Sequence, residues 1–357
     1  MSFYKVKLNN LFKHLLNETA FLAFRKYYLK MFESHKNLSH IFIELSSRCN
    51  LDCTFCSLRE NFKEKGTMAL KTFYSLENAF QKLKSVSFHC NGEPLMNGEI
   101  IKMLSFSRNK NSHMNISFST NGLLLTPELS LALLENGLDG ISFSMDGSKK
   151  ETYENMRKGS NFEKFLKTVS EFIELKKKTR NRLKKIGITV VASKQNLHEL
   201  SDILEFAHRL GANYFKVNGI VPHNPGFADQ ILYCNQDQAV NSEFQEVFKD
   251  LEAKARKFQM TIVLPSLKFR PFNHCELNSC LINWNGEVSP CFLLSYKRPY
   301  YFFGHSFTYE KIVFGNILNS KIHDIWNSKE FLSFRRNLSS GRILTSCKNC
   351  FLQGGVL

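Results

Sequence analysis

One pattern recurs four times along the 357-residue chain: a short apolar and hydroxyl-bearing run that closes on Asn-Gly or Asp-Gly. It reads Val86-Ser-Phe-His-Cys-Asn-Gly92, Ile116-Ser-Phe-Ser-Thr-Asn-Gly122, Ile141-Ser-Phe-Ser-Met-Asp-Gly147 and Asn213-Tyr-Phe-Lys-Val-Asn-Gly219. Each run suits a strand and each closing dipeptide a turn. Two further strands are expected, over His40 to Leu45 and over Gly187 to Ser193. Segments of helical period lie between: Leu70 to Leu83, Ile100 to Phe106, Pro127 to Leu134, Phe162 to Leu175 and Leu197 to Leu210. Strands alternating with helices argue for parallel βα units. The fold class is therefore α/β: a partial (βα)6 TIM-type barrel. In such folds chemistry collects where strands end and βα loops begin.

A three-cysteine loop occupies that edge. Directly after the first strand stands Arg48-Cys-Asn-Leu-Asp-Cys-Thr-Phe-Cys-Ser57, which places Cys49, Cys53 and Cys56 at C-x3-C-x2-C. A structural zinc needs four ligands and a redox pair needs two. A cubane iron–sulfur cluster usually takes four cysteines, so three leave one iron open. Half of a zinc site, completed by a distant residue, is the alternative reading of the spacing.

The chain is long enough for one barrel-like domain plus a smaller unit. No apolar run approaches the ~18 residues of a membrane span, and no signal peptide is evident. Of ten cysteines, eight fall in two metal-like groups, which points to a reducing cytoplasm rather than to disulfides. The net charge of +16 lies largely in lysine-rich helical stretches such as Lys176 to Arg180. Solvated helix faces explain it better than a nucleic-acid footprint. A basic surface also suits an acidic, low-potential electron donor such as a flavodoxin or ferredoxin.

The cysteine loop, with Phe55 between its second and third cysteines, resembles the signature of the radical S-adenosylmethionine (radical SAM) enzymes. Asn91-Gly-Glu-Pro-Leu95 resembles the family's Gly-Glu-Pro motif, and Tyr153 to Gly159, with Arg157, resembles the segment that follows the fourth strand. The resemblance covers roughly residues 40 to 221 in order and spacing. It implies a [4Fe–4S] cluster on Cys49, Cys53 and Cys56 whose open iron takes the amino and carboxylate groups of S-adenosylmethionine. Gly92, Glu93 and Pro94 would meet the ammonium, glycine allowing close approach. Ser144 and Arg157 would meet the carboxylate or ribose, with Asn121 and Asp146 as further ribose contacts. Phe55 and the end of the sixth strand would flank adenine. A lumen-filling Ser144 and a helix salt bridge for Arg157 are the structural alternatives. The implied reaction is reductive cleavage of S-adenosylmethionine, followed by hydrogen abstraction from substrate by a 5′-deoxyadenosyl radical.

After residue 222 the pattern changes. A helix is expected from Gln236 to Lys257, and Asn285-Gly286 signals a hairpin. Cys275, Cys291, Cys347 and Cys350, arranged about that hairpin, resemble the SPASM and Twitch extensions of the same family. They imply one auxiliary [4Fe–4S] cluster, with Cys280 as substitute for Cys275; a four-cysteine zinc ribbon is the alternative. The expected domains are a basic amphipathic helical extension at 1–38, the radical SAM core at 39–225, a helical linker and final core elements at 226–270, and a small β-hairpin/helix iron–sulfur unit at 271–357. The extension suits packing against the barrel.

Substrate is less legible. Peptide-modifying relatives carry a leader-recognition domain before the barrel, and the segment before His40 is too short for one. Relatives that oxidise sulfatase residues place Asp after the hairpin cysteine, where this chain has Phe292. A small molecule, oxidised or rearranged with the auxiliary cluster's help, is therefore preferred over a peptide. Glu44 and His89 are candidate bases in the lumen. A zinc-stabilised binding barrel and an RNA-modifying radical enzyme are the remaining alternatives.

Overall fold

The computed structural model describes residues 37–57, 65–231, 238–265, 278–302, 305–339 and 344–347. The expected helix over Met1 to Lys36, together with Cys234, Cys275 and Cys350, lies outside the described residues. All six expected strands form: β1 (His40–Ile43), β2 (Ser85–Phe88), β3 (Asn115–Thr120), β4 (Gly140–Ser144), β5 (Lys185–Ala192) and β6 (Tyr214–Gly219). They lie side by side in chain order, every pair parallel. A right-handed crossover repeated in one direction keeps the helices on one face, so the sheet curls toward a barrel instead of reversing as a doubly wound sheet does.

The sheet goes further than the sequence indicates. β7 (Thr261–Val263) extends it beyond β6, and β8 (Ser279–Ile282) pairs in parallel with β1. β8 and β9 (Glu287–Ser289) make the expected hairpin, which turns at Gly286 with φ +89°, a conformation glycine adopts without strain. A second hairpin, β10 (Arg298–Phe302) with β11 (His305–Tyr309), stands apart from the main sheet, and β12 (Gly315–Asn316) pairs with β9.

The helices follow the periodic segments. α1 (Leu70–Tyr74) and α2 (Glu77–Phe80) divide the first of them; α3 (Ile100–Lys110) and α4 (Pro127–Glu135) follow. α4 is capped by Thr126, whose side chain accepts from the Leu129 N–H. Then come α5 (Lys150–Met156), α6 (Phe162–Lys178), α7 (Leu200–Leu210), α8 (Gln238–Lys257), α9 (Ile322–Trp326) and α10 (Lys329–Ser339). One expectation fails: Asn218-Gly219 is not a turn. Both residues stay in β6, paired with Val191 and Ala192, because the eight-residue β5 offers ladder partners that far.

The period-two alternation of each strand separates two environments. Val86, Phe88, Ile116, Phe118, Ile141, Phe143, Ile188, Phe215 and Val217 are buried. They belong to a core that includes Phe80, Phe165 and Phe172 from the helices. Each such ring removed from water stabilises by about 2–3 kcal/mol. The alternate positions carry Ser87, Ser117, Ser142, Thr189 and Lys216, all half-buried. Ser87 and Ser117 hydroxyls lie 3.1 Å apart, and those of Ser142 and Thr189 2.6 Å apart. Closed TIM barrels fill the lumen with Val, Ile and Leu. Small hydroxyl side chains here leave it polar and accessible.

Candidate active site

The three-cysteine loop leaves β1 and is fastened on its far side to the end of α5. Asp52 N donates to Lys158 O at 2.9 Å, and the Thr54 backbone and hydroxyl both donate to Met156 O, at 2.9 and 3.2 Å. Cys53 is buried, whereas Cys49 and Cys56 are partly exposed. Asn121 Nδ2 lies 3.9 Å from the Cys49 sulfur and Arg157 Nη1 4.0 Å from that of Cys53. Burial pushes the Cys49 thiol up to about 11 and the Cys53 thiol up to about 12, with Arg157 pulling both down. Binding metal here must therefore expel protons.

The Gly-Glu-Pro turn after β2 packs onto this loop by its backbone. A Cβ on Gly92 would stand 2.1 Å from Ser46 O and 2.6 Å from Arg48 O, so the close approach that glycine permits is to the loop itself. Glu93 N donates to Arg48 O at 2.9 Å. The Glu93 carboxylate turns inward, accepting from Leu95 N at 3.1 Å, Thr120 Oγ1 at 2.8 Å and Asn121 N at 2.8 Å. Burial raises its proton affinity, and these donors pull it back in part. Pro94 opens a single 3-10 turn, Pro94–Met96. Asn121 then reaches the cysteine loop, donating to Asn50 Oδ1 at 2.8 Å.

The turns after β4 and α5 supply the second side. Arg157, 7 % exposed, pairs with the fully buried Asp146 at 2.7 Å. Its guanidinium carbon stands 5.9 Å from the centre of the Phe55 ring. Burial works against the Arg157 charge, but Asp146 outweighs it and the guanidinium is held protonated more firmly than usual. Asp146 also accepts from Val191 N at 2.7 Å, so Arg157 is anchored through β5. Ser144 ends β4 half-buried, and its hydroxyl has no hydrogen bond among the described residues. The structure thus brings Phe55, Gly92, Glu93, Pro94, Asn121 and Arg157 around the cysteine loop, with Ser144 on the same strand edge.

Glu44, one of the two candidate bases, closes the third side together with residues that the sequence did not single out. Glu44, 1 % exposed, accepts from Asn91 Nδ2 at 2.9 Å, from Trp284 N at 3.4 Å and from the Tyr296 hydroxyl. Trp284 comes from the turn between β8 and β9 and Tyr296 from the segment between β9 and β10, 240 and 252 residues away in sequence. Their partners carry no local motif, so only the fold could reveal them. His89 follows β2 and is exposed, and desolvation by the surrounding protein atoms, with nearby Lys216, holds its imidazole down to about 4.

Of the auxiliary set, Cys291 is partly exposed after β9 and Cys347 is buried in the turn Thr345–Cys347. Cys280 is 1 % exposed in β8, paired with Ile41 of β1. Among the described residues no three His, Cys, Asp or Glu side chains converge as a single-ion site requires. A four-iron cluster asks for something different, since each thiolate meets its own iron. Three thiols on one loop, with an arginine and an asparagine at their sulfurs, fit that donor set.

Comparison with known proteins agrees. Residues 43–207 match the radical SAM superfamily model and residues 274–351 an iron–sulfur cluster-binding domain, together well over half the chain. The tungsten-containing aldehyde ferredoxin oxidoreductase cofactor-modifying protein of Pyrococcus furiosus is 26% identical over 329 residues, covering 88% of each chain. An AdoMet-dependent heme synthase of Methanosarcina barkeri is 24% identical over 331 residues, covering 86% of each. Streptococcus suis SuiB bound to S-adenosylmethionine shares the fold with a TM-score of 0.65 at 17% identity, over 93% of this chain and 78% of that one. No helix among the described residues is long and apolar enough to cross a membrane. The chain is a radical SAM superfamily enzyme with a C-terminal iron–sulfur cluster-binding domain of the SPASM type.

Proposed function

We propose that the chain cleaves S-adenosylmethionine reductively at a [4Fe–4S] cluster on Cys49, Cys53 and Cys56, and oxidises or rearranges a small polar molecule held in the lumen. The observation that carries this reading is the Cys53 thiol facing Arg157, on a loop packed against Gly92 at the open edge of a hydroxyl-lined barrel. Cys49, Cys53 and Cys56 would hold the cluster, which when bound would supply the one electron that reductive cleavage of the C5′–S bond requires. Arg157 offsets part of the burial that otherwise holds the Cys49 and Cys53 thiols protonated. Backbone groups of the Gly-Glu-Pro turn, with Ser144, are left to receive the methionine and ribose. Glu93 acts by fixing that turn, since its carboxylate is taken up by three internal donors. Cys275, Cys291, Cys347 and Cys350 would hold an auxiliary cluster, which would supply an acceptor for the one electron that a substrate radical gives up on becoming oxidised product. Relatives that modify a cofactor or make heme, aligned over most of their length, support a small-molecule substrate. A peptide is the alternative.

The test is anaerobic reconstitution with iron counting and 5′-deoxyadenosine release under a strong reductant. About eight irons per chain and release lost in Cys53→Ala are expected. A colourless, zinc-loaded protein, or release that survives Cys53→Ala, would end this reading.

A further inference from the structure

Arg298 opens β10 and is 4 % exposed. Its Nη1 donates to Ser57 Oγ at 2.8 Å and to Asn91 Oδ1 at 3.0 Å. Its Nη2 donates to Phe292 O at 3.2 Å, with Ser295 Oγ at 3.5 Å. Ser57 follows Cys56, Phe292 follows Cys291, and Asn91 precedes Gly92. A single planar guanidinium thus ties the residue after a cysteine of the first loop to the residue after a cysteine of the second, and holds the Gly-Glu-Pro turn between them.

Its setting makes the tie stiff. The β10–β11 hairpin is fixed at its other side to the end of the β6 loop, where Tyr301 N donates to Pro222 O at 2.8 Å and His223 Nδ1 lies 2.9 Å from Pro299 O. Asn91, one of the Arg298 partners, also binds Glu44, and Glu44 binds Tyr296. Arg298 in turn stands 5.6 Å from the centre of the Tyr296 ring. The fork cannot follow one loop without pulling on the other, because its donors are fixed relative to each other. Its charge is also shared: carrying a positive charge into a low-dielectric site near both loops favours extra negative charge on either.

We infer that Arg298 is a positioning residue that couples the two iron–sulfur sites, so that loading or reducing the one alters the geometry and potential of the other. The inference rests on the reading of both cysteine groups as cluster ligands. No sequence motif marks Arg298, and its role follows from the two loops it joins.

The test is a double-mutant cycle on the reconstituted enzyme, read by iron content and by EPR-monitored redox titration of the first cluster. Cys291→Ala should lower iron from about eight to about four per chain. In the wild-type background it should also shift the first cluster's potential by about a tenfold change in its reduction equilibrium, ~59 mV. In Arg298→Lys, which keeps the charge but loses the fork, the same Cys291→Ala change should leave that potential nearly unmoved. Arg298→Met should make both clusters harder to reduce. An equal shift in the wild-type and Arg298→Lys backgrounds would overturn the coupling. Iron that stays near eight in Cys291→Ala would instead overturn the cluster assignment beneath it.

Discussion

The Arg157 guanidinium lies 2.7 Å from the Asp146 carboxylate and reaches to 4.0 Å from the Cys53 sulfur, joining the turn after β4 to the loop after β1. Asp146 is fully buried, so removing its partner strands a charge that cannot reach water. Arg157→Met should destabilise by about 3–5 kcal/mol. Arg157→Met with Asp146→Asn should cost less than the two single changes added together. Urea unfolding of the four proteins measures this; strict additivity would mean that the pair is not coupled.

Gly92→Ala places a methyl group 2.1 Å from Ser46 O and 2.6 Å from Arg48 O. Both obstacles are backbone, so the whole Gly-Glu-Pro turn must retreat from the cysteine loop. Overpacking of this kind costs about 1–3 kcal/mol. Iron retained by the first loop should fall sharply, while far-ultraviolet circular dichroism stays close to wild type. Full iron retention would show that the turn does not support the loop.

Glu93→Gln tests whether that carboxylate serves the fold or a ligand. The amide would turn a donor toward Leu95 N, Thr120 Oγ1 or Asn121 N, each of which now donates to Glu93. A stability loss of about 1–3 kcal/mol is expected in the protein without ligand. An unchanged unfolding midpoint with weakened S-adenosylmethionine binding would instead give Glu93 a direct ligand role.

The His223 imidazole is held down to about 4, below its ordinary 6.5, by burial and by the Arg298 charge. The unfolded chain therefore takes up the proton first as pH falls. Stability is full above about pH 6.5 and drains away as pH drops toward 4. Between pH 7.5 and 5, His223 should account for about 1–2 kcal/mol. Urea midpoints of wild type and His223→Gln at the two values measure it. A pH sensitivity that is the same in both would remove His223 from the account.

The repeated strand motifs made β2, β3, β4 and β6 legible, because alternation and closing turns are local properties. The same logic erred at Asn218 and Gly219, where a long neighbouring strand kept the dipeptide in the ladder. The cysteine loop was legible through its spacing, Gly92 and Arg157 only through their resemblance to family motifs. The inward-facing Glu93 carboxylate was not, since its donors at Thr120 and Asn121 sit on another strand's end. Tyr296, Trp284 and Arg298 left no signal at all: each acts on residues some 200 positions or more away. The antiparallel pairing of β10 with β11 was equally hidden, since no Asn-Gly stands between the two strands in the sequence to announce it.

The pairing of β8 with β1 sets a timetable. His40 finds its partner Ser279 only after a further 239 residues (279 − 40) have been synthesised. At about 5–20 residues per second, that interval is roughly 10–50 s. Until then the strand that delivers the first cysteine loop has one unclaimed edge, the kind of surface on which nascent chains stick to one another. Distant parallel pairing is also slow to form. The strand that carries the loop of Cys49, Cys53 and Cys56 thus gains its second neighbour only when the C-terminal part of the chain arrives.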